Sequence, residues 1–186
     1  MEEDCMKKKF VQDYKRKAGE EKFSYVGDYY IFYMEEAEKK KRAVFQVLFA
    51  ALQLVLLVVA GLLNSPGSYK VYIVLPYLCM ILPLIYYIMG AVGFARIPEK
   101  MEKHQYEVTM FRMMKSILAI FFLCVFTVCA DGIFLLNNKN EIDAMTEILF
   151  LGIMIVLAVM DYVALVYHNR LQKRVVVEKQ ERKDTK

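Results

Sequence analysis

Three carboxylates and a histidine stand where the chain is otherwise apolar. Asp131 lies in "FTVCADGIFLLN", Glu147 follows shortly after, and Asp161 and His168 lie in "AVMDYVALVYH". An acid in such a setting is costly unless it pairs, protonates or holds a cation, so these four residues form the candidate ion site. Glu147, Met154, Asp161 and His168 recur every seven residues, which keeps them on one side of a helix. Cys124, Thr127 and Asp131 share a side of the preceding helix in the same way. Asp131 and Glu147 come to nearly the same depth. Together they can hold a cation or share a proton; hydrated near headgroups, they would only end their helices. Asp161 has two readings as well. It is a tie to a donor, with Lys115, Arg112, Gln46 and Gln53 as candidates, or it relays protons or cations between Asp131/Glu147 and His168.

Four apolar runs must position these residues: 43–63, 71–94, 116–136 and 148–167. Each is close to the roughly 20 residues that a helix needs to cross about 30 Å of hydrocarbon. Apolar residues make up 58% of the chain, yet charged ones still make up 25%, because the charges are confined between and outside the runs. Helices buried in soluble domains usually keep a polar face, and these runs do not. The expected fold class is therefore all-α, an integral membrane four-helix bundle of 2+2 hairpins with helical cytoplasmic extensions. Its parts are a charged arm (1–27), an interfacial helix capped by Asp28 and leading into the first span (28–42), the four-span domain (43–168) and a basic helical tail (169–186). In the middle connector, Pro98 is expected at a first helical position. The first run follows a 42-residue, highly charged segment, so it reads as a permanent anchor rather than a cleaved signal.

Lys and Arg alternate from connector to connector. Eleven fall between Lys7 and Arg42, one (Lys70) in the first connector, five between Arg96 and Lys115, one (Lys139) in the third, and seven after His168. Positive charge is retained on the cytoplasmic side, so both termini and the middle connector are expected inside a cell membrane crossed several times. The net charge of +4 then belongs to an inner membrane face. No nucleic-acid motif accompanies it.

The second run carries Pro76, Pro83 and Gly90 seven residues apart. Proline removes a backbone donor, so this row reads either as a hinge beside a cavity or as a bent helix whose small residues allow close packing. A shift of 73 residues aligns Tyr33 with Tyr106 and Leu62-Leu63-Asn64 with Leu135-Leu136-Asn137, which suggests two related halves.

Enzyme signatures are missing. Asp131-Gly132 matches the opening of the alcohol phosphatidyltransferase motif, but the Ala-Arg that should follow and the two later aspartates are absent. The small multidrug exporters match in size, but their first-span glutamate has no counterpart. Of the four cysteines, Cys79, Cys124 and Cys129 lie in apolar runs and no C-x-x-C pair occurs, which argues against a disulfide framework or a zinc site. The expectation is a non-enzymatic accessory, assembly or regulatory membrane component without metal or cofactor. Its partners would be the lipid bilayer and another membrane subunit or a second copy, with no nucleic acid. The alternative is a small proton- or cation-coupled transporter or channel using the intramembrane carboxylates.

Overall fold

The computed structural model describes residues 14–16, 23–25, 27–32, 35–96, 98, 100–138 and 144–178. The expected arm (1–27), the connector around Lys139 and the end of the tail fall largely outside these. Four helices dominate: α1 (Glu36–Leu62), α2 (Val71–Ala95), α3 (Lys103–Asn137) and α4 (Ala144–Gln172). Each is long and apolar enough to cross a membrane. They pack as a ring in which α1 meets α2, α2 meets α3, α3 meets α4 and α4 returns to α1.

Burial in the ring is inverted relative to a water-soluble bundle. α1 buries Ala43, Gln46, Ala50, Gln53, Leu57 and Ala60, spaced three and four apart, and so turns both glutamines inward. Its exposed positions are Val44, Phe45, Leu48, Leu52 and Val55. α4 does the same: Glu147, Asp161 and His168 are buried, whereas Ile148, Ile155, Val159 and Val163 are exposed. In water the polar face would point out and the apolar face in.

Local chemistry sets the helix ends. Asn64, at φ 53°, takes the left-handed position just after Leu63, which caps α1. Pro66 then opens a 3-10 turn, Pro66–Tyr69, which leads into α2. α2 is interrupted at Met80, between Val71–Cys79 and Ile81–Ala95. Pro76 and Pro83 each lack the N–H that would bond four residues back, and at the break Met80 N–H bonds to the Tyr77 carbonyl at 3.2 Å. Gly90 lies where α2 crosses α3: a Cβ there would collide with the Met113 side chain and stand 3.3 Å from the Thr109 carbonyl. α3 widens into one π-helical segment at Glu107–Phe111, where the Thr109 hydroxyl donates to the Gln105 carbonyl at 2.5 Å.

A sheet closes one end of the bundle. β1 (Tyr14–Arg16) and β2 (Phe23–Tyr25) pair with each other. β3 (Tyr29–Phe32), β4 (Lys100–Glu102) and β5 (Val175–Glu178) form a separate antiparallel sheet in the order β4-β3-β5. Tyr30 stands opposite both Met101 and Val177. Three expectations are corrected here. The helix expected from Asp28 begins only at Glu36, and 29–32 is a strand. Pro98 precedes a strand, not a first helical turn. The tail helix stops at Gln172 and gives way to β5, so the fold is mainly helical rather than all-α. Aromatic and β-branched residues in "YYIF" and "VVVE" gain more by pairing across the chain than by extending the spans.

Two glycine substitutions separate packing from propensity. Gly90→Ala should lower the melting temperature in detergent, because overpacking at the α2–α3 crossing costs about 1–3 kcal/mol. Gly132→Ala should leave it unchanged or raise it, since a Cβ there meets nothing within 4 Å and alanine favours the helix by up to about 1 kcal/mol. Equal effects would refute the crossing.

Candidate functional site

Polar side chains occupy three levels inside the bundle. The first is at the connector end. The 3-10 turn points the Gly67 N–H at Glu147, whose Oε2 accepts it at 3.0 Å. Only glycine fits this turn: a Cβ would collide with the Glu147 carboxyl and come within 2.8 Å of Asp131 Oδ1. Asp131, Glu147 and the turn thus meet around one point. Both acids are wholly buried. Asp131 Oδ1 and Oδ2 and Glu147 Oε1 have no hydrogen-bond partner among the described residues. Two carboxyls in contact, away from water, suit one shared proton or one cation. Among the described residues no cluster of three or more His, Cys, Asp or Glu is arranged to hold a metal ion. Lys70 lies 5.7 Å from the centre of the Phe134 ring, which ties this connector to α3 as Glu147 ties it to α4.

The second level is Asp161. Gln53 Nε2, from α1, donates to its Oδ1. Cys124 Sγ, from α3, lies 3.8 Å from its Oδ2 and 3.6 Å from Met80 Sδ, with one thiol proton for the two. Of the four donors that the sequence offers for Asp161, Gln53 is the one used. Arg112 instead lies over the Tyr86 ring and Lys115 over the Phe111 ring.

The third level surrounds His168. Tyr87, from α2, donates its hydroxyl to Gln46 Oε1 at 2.9 Å. The His168 ring stands edge-on to Tyr87 and Tyr167, at 6.1 and 5.9 Å between centroids. These groups line a cavity of about 110 Å³. Nearer the sheet, Arg42 donates to the Tyr167 hydroxyl at 2.8 Å and to Glu38 at 2.6 Å.

The structure therefore brings Asp131 and Glu147 together and keeps Asp161 and His168 apart from them. Fourteen residues of α4 separate Glu147 from Asp161, about 21 Å at 1.5 Å per residue. Met154 is wholly buried between them, in one apolar cluster with Phe150, Leu157, Leu57, Ile73 and Met80. Pro76 and Pro83 flank the break in α2, and Gly90 is a contact with α3. Sequence reasoning missed Gly67, Cys124 and Tyr87. "SPGS" carried a signal, a glycine in a turn beside a buried acid. Cys124 is visible on the Asp131 side of its helix, but the sequence weighs it only against a disulfide or a zinc site. Nothing local marks Tyr87 as the partner of Gln46.

Substitutions at Asp161 and Glu147 test these levels. Asp161→Asn keeps an acceptor for Gln53 and should melt within a few degrees of the parent, whereas Asp161→Leu strands a buried amide and should cost about 1–3 kcal/mol. Glu147→Gln retains an acceptor for the Gly67 N–H and supplies its own donor towards Asp131, so it should fold at least as stably as the parent. Glu147→Leu should instead expose the 64–70 connector to proteolysis. Equal cleavage of the two Glu147 variants would remove the latch.

No protein family matches the chain, and comparison with curated proteins and with solved structures finds no match.

Proposed function

We propose that the protein is a multi-pass membrane component that acts by assembly rather than by catalysis, with both termini and the sheet on the cytoplasmic side of the cell membrane. The inverted burial supports the membrane part, because the exposed positions of the four helices are those that hydrocarbon would solvate. The charge alternation supports the orientation: Lys70 lies at the connector end, whereas Arg42, Lys100, Lys103, Arg112, Lys115 and Arg174 gather towards the sheet end.

One observation carries the choice of assembly over transport. An apolar layer separates Asp131/Glu147 from Asp161, and each level is tied to a different neighbour, Glu147 to the Gly67 N–H and Asp161 to Gln53. Four cavities, of about 730, 600, 210 and 110 Å³, are each lined by other residues than these three acids. The polar residues thus act as ties that fix helix register. The sheet, with Lys100 and Glu178 paired at 2.6 Å and Val176 and Val177 exposed, is the surface offered to another subunit or a second copy. A small proton- or cation-coupled transporter is the second reading, favoured by the unpartnered oxygens of Asp131.

Proteoliposomes decide between them. The assembly reading expects the purified protein to pass no protons or monovalent cations under an imposed gradient. A flux that Asp161→Asn abolishes would overturn it in favour of transport. Orientation is checked in a background without native cysteines. A cysteine placed at Ser68 or Asn138 should react with an impermeant thiol reagent added outside, and one at Gln105 should not.

A further inference from the structure

A groove of about 730 Å³ runs along the outer surface of the bundle between α2 and α3. Leu82 and Pro83 line it from α2, Ala119 and Leu123 from α3, and Arg112 and Lys115 stand at its polar end. The two cations are three residues apart, so they lie one above the other on the same face of α3. Among the described residues neither belongs to an ion pair. Both rest on aromatic rings instead: Arg112 lies 5.6 Å from the Tyr86 centroid and Lys115 4.3 Å from that of Phe111. A guanidinium or ammonium held over a ring is fixed in place and keeps donors for an anion.

Depth selects the occupant. Lys115 immediately precedes the apolar stretch of α3, at the level of lipid headgroups. Leu123 lies eight residues further on, about 12 Å deeper at 1.5 Å per residue. The groove therefore offers fixed positive charge at headgroup level and an apolar trough below it. An anion at one depth joined to an alkyl chain at the next is what a phospholipid presents by construction. Glu107 and His104 share the rim. Arg112 and Lys115 outnumber the one carboxylate there, which disfavours a zwitterionic headgroup that would bring an ammonium of its own. Basic pockets between spanning helices on the inner side of a membrane are where anionic headgroups bind.

We propose that this groove is a binding site for an anionic phospholipid, with the phosphate between Arg112 and Lys115 and one acyl chain along Leu82, Pro83, Ala119 and Leu123. The site rests on the reading that these helices cross a membrane. Its bound lipid would hold α2 and α3 together beside the Met80 break.

The full-length protein, solubilised in a mild detergent, is examined by native mass spectrometry with dioleoyl-phosphatidylglycerol or dioleoyl-phosphatidylcholine at equal concentration. One phosphatidylglycerol should be retained with at least tenfold preference. Arg112→Gln with Lys115→Gln should weaken its retention roughly 25-fold, at about fivefold for each cation lost near the surface. Lys100→Gln with Lys103→Gln removes the same charge outside the groove and should change retention less than twofold. Ala119→Phe fills the trough and should abolish retention; if that variant does not fold, the two charge pairs still decide. Equal retention of the two lipids, equal effects of the two charge pairs, or displacement of the lipid by glycerol phosphate at similar concentration would each overturn the proposal. Extraction of the protein from membranes by sodium carbonate would instead defeat the membrane reading, a separate result.

Discussion

Polar side chains placed inside a bundle whose surface is hydrocarbon-like set the terms for everything else here. Outside, Phe45, Leu52 and Val159 offer no hydrogen bond, so a buried polar group can be satisfied only within the protein, and Asp131 is the one buried acid whose oxygens both lack such a partner among the described residues. Gln53 therefore meets Asp161, Tyr87 meets Gln46, and Glu147 takes the Gly67 N–H. Thr127 satisfies itself on its own helix, through the Leu123 carbonyl at 2.9 Å. Apolar surfaces alone can slide past one another at little cost, because lipid and side chain are alike to them. A buried amide or carboxyl cannot slide without losing its partner, so these contacts fix the register of α1 with α4, of α1 with α2, and of α4 with the first connector.

That register explains the backbone features around it. Where α2 crosses α3, Gly90 has room for no side chain against Met113, and the π-helical segment of α3 lies at the same crossing through Thr109. The break at Met80 turns its sulfur towards Cys124, in the same layer as Asp161. At the connector end, a turn that starts from Pro66 brings one backbone N–H to a carboxyl that the seven-residue period of α4 has already aimed inward. Each irregular feature thus adjoins a polar contact.

Those parts of the fold that repeat at helical spacing were legible in the sequence. Glu147, Met154, Asp161 and His168 share a side because seven residues is nearly two turns, and the structure buries all four. Gln53 was readable as a candidate donor because the apolar runs set its depth. The sheet was not legible. β3, β4 and β5 are three or four residues each and lie about seventy residues apart, so their pairing is a property of the closed bundle and not of any local window. Asp28 and Pro98 pointed to helix starts that the strands displace. Gly67 escaped because its requirement is a neighbour's carboxyl, 80 positions along the chain.

The sheet also bears on what the bundle can do. β3 leads into α1, β4 joins α2 to α3, and β5 follows α4, so one hydrogen-bonded unit holds the ends of all four helices. Transport by alternating access in a protein of two halves requires one half to rock against the other around a central site. Here β3 belongs to the first half, β4 begins the second and β5 ends it, and β3 pairs with both. Rocking would have to shear those ladders, and with them the Tyr30–Tyr106 stack at 4.5 Å and the contact of Arg42 with Tyr167. At the other end the Gly67–Glu147 latch joins the first half to α4. A bundle clasped at both ends supports the proposed scaffold over a moving carrier, and leaves its apolar flanks and the edges of the sheet as the exposed surfaces.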